Sequence, residues 1–268
     1  MEDTLVLVGN PLAHIPLLER IQQGFNNKLG RKWLGDSFYL CVALGVMYLV
    51  AIFFGRKWMR DRFPFNFKRT LFLWNVGLAV FSMYGTIALL PQLVHGLVKH
   101  GFNHTTCRTE AFSSPHTSLW IFLFCLSKAL ELGDTIFIVL HKSHLNFLHW
   151  YHHLTVLFFA YYGYGRPIES ASEHYFSTIN FTVHSIMYSY YALRAVGVRI
   201  PSRIALLITV LQISQMFVCL AVTLTAYSNV KSGANCQFDW HVFYFSITMY
   251  GSYALLFIHY FLRRYFFS

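Results

Sequence analysis

The sequence predicts an all-α protein that crosses a membrane seven times, and three observations support this fold class. Of the 268 residues, 56% are hydrophobic and only 12% are charged, about half the charged share of a typical soluble domain. Aromatic residues reach 19%, which suits lipid-facing helices with interfacial belts. Apolar stretches that can cross a bilayer recur along the chain. A very aromatic soluble core is the alternative, but a soluble surface would need more charge.

Seven apolar stretches are the predicted spans, since a crossing takes about 20 mostly apolar residues. The breaks between them are short, so we expect one membrane domain over residues 38–262. It follows an N-terminal segment, 1–37, and precedes a short tail, 263–268. The second stretch contains Pro91, where a helix is expected to kink or break. The seven stretches are 38–55, 71–98, 117–140, 147–164, 175–193, 204–227 and 240–262.

The distribution of Lys and Arg predicts the orientation, because cytosolic loops carry an excess of basic residues. The breaks after the first, third and fifth spans, together with the C-terminus, hold twelve basic residues, whereas the other three loops hold four. Four more basic residues in the segment before the first span reduce the contrast. We therefore place the N-terminus in the lumen and the C-terminus in the cytosol. The twelve are Arg56, Lys57, Arg60, Arg62, Lys68, Arg69, Lys142, Arg194, Arg199, Arg203, Arg263 and Arg264.

The net charge of +10 does not indicate a nucleic-acid partner. Nucleic-acid binding favours a basic stripe on a polar surface, whereas the basic residues here lie between apolar runs. Such residues orient helices and contact anionic lipid head groups or an anionic ligand. We expect membrane lipid, and no nucleic acid, among the partners.

The predicted lumenal loops contain one modification signal and two cysteines. Asn103-His104-Thr105 matches the acceptor sequence for N-glycosylation. Cys107 and Cys236 both fall in these loops, where an oxidising compartment permits a disulfide. Two unpaired thiols are the alternative, and we expect the disulfide.

The third predicted span contains three ionisable residues, Lys128, Glu131 and Asp134. Such residues cost about 2.5–3.5 kcal/mol each at the centre of a span, so they usually pair and often mark function. Helical spacing places the three within a 120° arc of one face. One interpretation is a self-neutralising structural triad, in which the lysine pairs with both carboxylates. The other is one wall of a polar catalytic cavity, and both remain open.

The fourth predicted span begins with three histidines on one helical face, His149, His152 and His153. A single buried histidine is usually a hydrogen-bonded core residue, but three on one face indicate a function. An imidazole can act as a nucleophile, a general base or a metal ligand.

The next two spans add uncharged polar side chains. Asn180, His184, Tyr188 and Tyr191 fall within about an 80° sector of the fifth span. The sixth span carries two glutamines one turn apart. Their amides could bind a ligand or join two helices, which is the commoner role. These residues are Gln212 and Gln215.

Three classes of membrane protein could account for these features. A di-iron desaturase or hydroxylase uses the pattern HxxHH, but it needs several such boxes, and this chain has one. A single-metal site is the alternative, but no carboxylate lies beside the histidines in sequence. We predict no metal site and no cofactor. A non-enzymatic seven-span carrier or receptor would explain the hydropathy but not the polar faces. An enzyme that uses imidazole chemistry explains both.

Four segments together resemble the ordered motifs of the ELO fatty acid elongases. They are KALELGDT at 128–135, HWYHH at 149–153, the stretch 180–191 that ends in MYSYY, and LQISQ at 211–215. The resemblance covers roughly residues 35–265. The lead-in to the histidines further resembles the branch that extends saturated and monounsaturated chains.

The resemblance implies a fold, a reaction and a location. The fold is seven transmembrane helices, six of which form a barrel around a narrow acyl tunnel. The reaction joins an acyl-CoA to malonyl-CoA and gives 3-oxoacyl-CoA, CO2 and free CoA. The location is the endoplasmic reticulum membrane, although the chain ends in RRYFFS, without the lysine-rich retrieval signal of many members. A reductase and a dehydratase of the same cycle are implied partners, and a homodimer is a further expectation.

The resemblance places His149, His152, His153 and His184 in the site, and the following roles are hypotheses. Neutral His152 attacks the thioester and forms an acyl-imidazole. His184 or His153 orients the thioester or stabilises the malonyl enolate, and Asn180 and Tyr188 are the candidate donors to a developing oxyanion. A non-covalent ternary mechanism, with a histidine as base, remains open.

The substrates are expected to contact a second set of side chains. Arginine binds phosphate well, so Arg194, Arg199, Arg203 and Lys142 are candidates for the CoA phosphates, or serve topology alone. The candidate substrate-binding residues are Lys128, Glu131, Asp134, Tyr188, Tyr191, Gln212, Gln215 and Arg194.

Overall fold

The computed structural model describes residues 9–110 and 114–266, which form ten α-helices and no β-strand. The predicted all-α class is confirmed. The helices are α1 (Pro16–Gly24), α2 (Asn27–Asp36), α3 (Phe38–Met59), α4 (Lys68–Thr105), α5 (Pro115–Glu131), α6 (Gly133–Leu140), α7 (Phe147–Tyr164), α8 (Ser172–Ala195), α9 (Ser202–Lys231) and α10 (Trp240–Tyr265).

Four helices are long and apolar enough to cross a membrane, namely α3, α4, α9 and α10. The chain is therefore a membrane protein. These helices carry the predicted spans 38–55, 71–98, 204–227 and 240–262. The other three predicted spans are also helical and correspond to α5 with α6, to α7 and to α8.

The third predicted span, 117–140, is not one continuous helix. It is divided at Leu132 into α5 and α6. A Cβ atom at Gly133 would lie 2.7 Å from Cζ2 of Trp74, so only glycine lets this indole ring approach the backbone so closely. The same indole donates a hydrogen bond from Nε1 to Asp134 Oδ1 at 2.6 Å. The break thus brings α4 into contact with the polar residues of this span.

The irregularity in α4 lies at Gly101 and not at Pro91. The helix includes Pro91, whose fixed φ is compatible with helical backbone. Gly101 has φ 78° and ψ 168°, a conformation that glycine adopts readily because it has no Cβ. The helix is therefore not broken at Pro91, and the last turn of α4 is redirected by glycine.

The loops after α3 and α6 lie together at one end of the molecule. The Lys142 ammonium donates to the carbonyl oxygens of Arg60 and Arg62 at 2.9 and 3.0 Å. The amide of Phe65 donates to the carbonyl of Leu140 at 3.1 Å. Two loops that the charge distribution assigns to one side of the membrane are thus joined directly.

The loops at the opposite end of the molecule are also joined to one another. Cys107 and Cys236, the predicted pair, form a disulfide that connects the α4–α5 loop to the α9–α10 loop. The amide of Gln237 also donates to the carbonyl of Cys107 at 2.9 Å. Arg166, after α7, donates from Nε to Asp239 Oδ2 at 2.7 Å.

The N-terminal segment, predicted only as a lumenal extension, forms two helices that pack on this same end. Arg31 of α2 is 7% exposed and pairs with Glu173 of α8. Its guanidinium also donates to the carbonyl of Tyr164 at 3.1 Å and lies 4.6 Å from the centroid of that ring. Arg31 therefore joins α2 to the ends of α7 and α8 and is not a free surface charge. Residues 1–8 of the segment lie outside the described part of the chain.

We expect a pH-dependent contribution to stability from Asp239, which caps α10. Burial alone would raise the pKa of Asp239, but hydrogen bonds from Arg166, Val242 and His241 lower it. A carboxylate with a lowered pKa stabilises the fold above its unfolded pKa of about 4 and loses that effect as pH falls through the folded pKa. The difference in thermal midpoint between wild type and Asp239→Asn should therefore be constant from pH 7 to about 5 and should shrink at more acidic pH.

The matched control for this measurement is Asp61→Asn, because the Asp61 side chain is 84% exposed. It should leave the midpoint nearly unchanged at every pH. A difference for Asp239→Asn that stays constant down to pH 3 would contradict the assignment.

Candidate active site

A cavity of about 590 Å³ lies among α4, α6, α7, α8, α9 and α10. Arg194 and Tyr260 line it near the C-terminal ends of α8 and α10, and Asn180 and Gln215 line it at mid-helix. Eleven of the thirteen predicted catalytic and substrate-binding residues contribute to its wall. They are Asp134, His149, His152, His153, Asn180, His184, Tyr188, Tyr191, Arg194, Gln212 and Gln215.

The three histidines of α7 face this cavity together, as their helical spacing predicts. The ring centroids of His149 and His153 are 4.5 Å apart, and those of His152 and His153 are 5.3 Å apart. His184 reaches the same cavity from α8. Imidazoles from two different helices thus converge on one cavity.

His149 and His153 lie beside polar groups of α6. The Nε2 atom of His149 lies 3.0 Å from the Thr135 hydroxyl, which in turn contacts the Tyr48 hydroxyl of α3 at 2.7 Å. The Nε2 atom of His153 lies 4.0 Å from Asp134 Oδ2, longer than a hydrogen bond. The contact with Thr135 restricts the orientation of the His149 ring.

A buried chain of polar contacts fixes the tautomer of His184. Lys128 Nζ donates to Asn180 Oδ1 at 2.9 Å, so the Asn180 amide nitrogen faces His184 Nε2 at 3.2 Å. Because that nitrogen is a donor, Nε2 must accept and the ring proton is on Nδ1. Nδ1 lies 3.7 Å from Glu131 Oε2, longer than a hydrogen bond. The nucleophilic lone pair of His184 is thus engaged.

The predicted triad of α5 and α6 forms only in part. Lys128 and Glu131 pair at 2.7 Å, are 1% and 3% exposed, and lie behind Asn180 and His184, outside the cavity wall. Asp134 is not paired with Lys128. The expectation that the lysine neutralises both carboxylates was wrong, because the break at Leu132 and the Trp74 contact give Asp134 other partners.

Among the described residues, His152 is the one histidine of the four that is both half-buried and without a hydrogen bond to its ring. The His153 ring also lacks a hydrogen bond to a described residue, but His153 is only 6% exposed. Within residues 9–110 and 114–266, no hydrogen bond to the His152 ring is found. The ring packs against Tyr253, with centroids 4.9 Å apart, while the Tyr253 hydroxyl donates to the backbone carbonyl of His152 at 3.1 Å. His152 is therefore held in position by packing and backbone contacts, and its ring nitrogens are available to a ligand in the cavity.

A comparison with protein families shows to which family the chain belongs. The family described as ELO, GNS1/SUR4 family, matches residues 33–267. The chain belongs to the ELO family. The resemblance inferred from the motifs is confirmed, and the matched residues include the whole cavity.

Three relatives of this ELO protein illustrate the degree of similarity. "Very long chain fatty acid elongase 6" of Gallus gallus is 38% identical over 91% of each chain. The Homo sapiens protein of the same name is 37% identical over 91% of each chain. "Long chain fatty acid elongase 1" of Caenorhabditis elegans is 37% identical over 91% of this chain and 84% of its own.

Asp134 connects three helices of the ELO cavity. Besides the Trp74 indole of α4, its carboxylate accepts a hydrogen bond from the Tyr188 hydroxyl of α8 at 2.7 Å. Hydrogen bonds to a charged acceptor are about twice as strong as neutral ones. Asp134 is thus a structural junction of the cavity wall as well as a lining residue.

We expect Asp134→Asn to lower the free energy of unfolding by about 1–3 kcal/mol. The amide nitrogen of asparagine would face one of two donors, Trp74 or Tyr188, and leave it unsatisfied. Denaturant or thermal unfolding in detergent measures the change. Tyr188→Phe, which removes one hydrogen bond and leaves no opposed donors, should cost less. Equal stability of all three proteins would refute this role.

The mouth of the cavity carries one of the four predicted CoA-binding cations. Arg194 lines the mouth beside Tyr191, which is 45% exposed. Arg199 and Arg203 are not among the described residues of the wall. Lys142 is engaged with backbone carbonyls, as described above. Deeper inside, Gln212 donates to the Met187 sulfur at 3.1 Å, a contact between α9 and α8.

Asn103, the predicted glycosylation site, is exposed near the end of α4. Its backbone carbonyl accepts hydrogen bonds from Thr106 and Asn229, whereas its side chain makes no hydrogen bond to another described residue. The Thr105 hydroxyl of the same acceptor sequence is buried and contacts the Tyr175 hydroxyl at 2.6 Å. Modification of Asn103 stays a prediction.

Sequence reasoning missed several residues that shape the ELO site. Three of them lie outside the four motifs that resemble the family, and each reaches the site through a contact between helices. They are Trp74, Tyr48 and Tyr253. Thr135 was part of the recognised KALELGDT segment, so its link to His149 had a signal in the sequence. Among residues 9–110 and 114–266, no group of three or more His, Cys, Asp or Glu is placed to hold a metal ion.

Proposed function

We propose that this ELO protein elongates fatty acyl-CoA by condensing it with malonyl-CoA. The products are CO2, free CoA and a 3-oxoacyl-CoA two carbons longer. The curated relatives named above are called fatty acid elongases, which supports a role in fatty acid elongation. One observation carries the proposal: His152 lines the cavity, half-buried and with no hydrogen bond to its ring in the described structure, whereas His149 and His184 have ring hydrogen bonds and His153 is 6% exposed.

In the first step, the neutral His152 imidazole attacks the thioester carbonyl carbon. A carbon–nitrogen bond forms, the carbon–sulfur bond breaks, and the imidazole proton passes to the departing CoA thiolate. The product is an acyl-imidazole. A covalent intermediate divides one difficult condensation into two easier reactions.

In the second step, malonyl-CoA occupies the space that CoA has left. Its carboxylate leaves as CO2, and the electron pair of the broken carbon–carbon bond forms the enolate of acetyl-CoA. The enolate carbon attacks the acyl carbon, and the imidazolate of His152 leaves and recovers a proton from solvent. One proton is consumed overall, which balances the reaction.

The neighbouring groups have supporting roles in this proposal. Asn180 is oriented by Lys128, and its amide nitrogen has a second proton besides the one that His184 accepts. Donors that need no reorganisation stabilise a developing oxyanion most effectively. We assign the thioester and enolate oxygens to this donor, with His153 and His184 beside it, whereas the one hydroxyl proton of Tyr188 is donated to Asp134.

The substrates enter from the end that carries Arg194. Its guanidinium suits the phosphates of CoA, because arginine makes paired hydrogen bonds to such anions. We propose that this end faces the cytosol and that the disulfide end faces the lumen of the endoplasmic reticulum. On this view α5 with α6, α7 and α8 also cross the membrane, which completes seven spans with six helices around the acyl tunnel.

We propose saturated and monounsaturated long-chain acyl-CoAs as substrates, without a cofactor. Purified protein with labelled malonyl-CoA and a panel of acyl-CoAs tests the proposal. We expect labelled 3-oxoacyl-CoA and release of CO2 in equal amounts. If monodisperse, folded protein forms no malonyl-dependent product from any acyl-CoA of the panel, the proposed function is refuted.

A further inference from the structure

Helix α2 lies where the chain enters its first membrane-crossing helix. It ends at Asp36, and α3 begins at Phe38. The 22 residues of α3 extend about 33 Å, which matches the hydrocarbon thickness of a bilayer, about 30 Å. Because a single residue separates the two helices, α2 lies at the level of the lipid head groups, at the end of the molecule that carries the disulfide.

Contacts with the rest of the protein fix which face of α2 points inward. Arg31 attaches it to α7 and α8, as described above, and Leu34 on the same side is buried. On its flank, the Trp33 indole packs against Phe122 of α5, with ring centroids 6.1 Å apart. Phe122 lies about 10 Å along α5 from its first residue, Pro115. Trp33 therefore lies near the boundary between head groups and acyl chains.

The outward face of α2 carries an apolar stripe beside a basic stripe. Leu29 and Trp33, one turn apart, are 64% and 54% exposed. Lys28 and Lys32 are also exposed, and each precedes one of them by one residue, which places the lysines about 100° around the helix. Among the described residues, neither ammonium group forms an ion pair or a hydrogen bond. Helices with this pattern lie in the membrane interface, with the apolar side in the acyl boundary and the charges among the head groups.

The two charges select the type of lipid. Lys28 and Lys32 have Cβ atoms about 5–6 Å apart, so both long side chains reach one phosphate group. A zwitterionic head group also carries a cation, which the lysines repel, whereas an anionic head group offers only attraction. The acyl chains of the same lipid then cover Leu29 and Trp33 and continue along α3, whose first turn exposes Leu40.

We propose that the outward face of α2 binds one anionic phospholipid. The two lysines contact its phosphate, and Leu29 and Trp33 contact its acyl chains. Because Arg31 fixes the inward face of the same helix to α7 and α8, the bound lipid holds the N-terminal segment against these two helices. The lipid site depends on the fold and on the membrane, and it is independent of the reaction proposed above.

The emission of Trp33 provides a local measurement, because bromine atoms on a lipid tail quench a nearby indole. The full chain in micelles of a neutral detergent is titrated with phosphatidylglycerol that has brominated tails. Subtraction of the same titration of Trp33→Phe separates the signal of this indole from that of the other tryptophans. We expect saturable quenching at a lower lipid fraction than brominated phosphatidylcholine requires.

Removal of the two lysines is the decisive variant. Lys28→Gln with Lys32→Gln should raise the half-saturating fraction of phosphatidylglycerol about thirtyfold, since each lysine beside an anionic head group contributes about fivefold. Asp36→Asn should lower that fraction, because this exposed carboxylate lies one turn beyond Lys32 and repels the phosphate. The matched control is Arg56→Gln with Lys57→Gln, which removes two exposed charges at the opposite end of α3 and should leave the curve unchanged.

The lipid site is refuted if the indole is not quenched, if the two lipids saturate at equal fractions, or if the lysine variant keeps the wild-type curve. Displacement of the brominated lipid by inorganic phosphate at constant ionic strength would show a site for any small anion instead. Quenching that varies with protein concentration at a fixed lipid fraction would show that a second copy of the chain covers this face. If the lysine variant does not fold, Asp36→Asn decides alone, since an unchanged curve refutes the site.

Discussion

His152→Ala is expected to abolish both the covalent acyl intermediate and chain elongation. The variant loses the half-buried imidazole of the cavity wall whose ring has no hydrogen bond in the described structure, the proposed nucleophile. Intact mass after incubation with acyl-CoA alone should show an acyl adduct in wild type and none in the variant. The elongation rate should fall at least about 10³-fold, since loss of a catalytic nucleophile elsewhere costs up to about 10⁶-fold.

The control for this variant is His259→Ala, which removes an exposed histidine of α10 that does not line the cavity. It should retain the adduct and the rate. A wild-type protein that elongates acyl-CoA but never carries an adduct would favour the ternary mechanism with a histidine as base. An adduct that persists in His152→Ala would assign the nucleophile to another residue.

Lys128→Met is expected to cause the largest loss of stability in the cavity region. Lys128 and Glu131 form a buried ion pair, so removal of the ammonium leaves an uncompensated carboxylate. Such changes cost about 3–5 kcal/mol in free energy of unfolding. Asn180 also loses the donor that orients its amide toward His184. Elongation by the remaining folded protein should therefore fall as well.

The double variant Lys128→Met with Glu131→Leu separates the two effects. Replacement of a buried ion pair by apolar residues is often neutral or stabilising, so the unfolding free energy should largely recover. Elongation should stay low, because Asn180 and His184 remain without their partners. Lys231→Met, at an exposed position, is the control for loss of charge alone. Recovery of full activity in the double variant would show that the pair has no positioning role.

Local periodicity predicted those parts of the site that depend on one helix. The spacing of His149, His152 and His153 fixes a common face, and the structure brings all three to the same cavity. The spacing of Asn180 and His184 likewise predicts neighbours, which lie 3.2 Å apart. Helical geometry alone determines which residues of one helix share a face, so their spacing in the sequence is enough to predict it.

Contacts between helices could not be predicted in this way. The interpretation of Lys128, Glu131 and Asp134 assumed one straight helix, but the break at Leu132 and the Trp74 contact depend on how α4 packs. Arg31 is one of the four basic residues before the first span, and nothing near it in sequence indicates its partner, Glu173, which is 142 residues away. Periodicity carries no information about such distant pairs.

The chain of hydroxyls from Tyr48 through Thr135 to His149 has a consequence for the outermost helix. Within the described residues, α3 contributes nothing to the cavity wall, yet its Tyr48 restrains an imidazole there. A substitution among the lipid-exposed residues of α3 that tilts this helix would turn that ring. Inherited or engineered changes in α3 can thus impair the reaction while every residue that touches substrate stays intact.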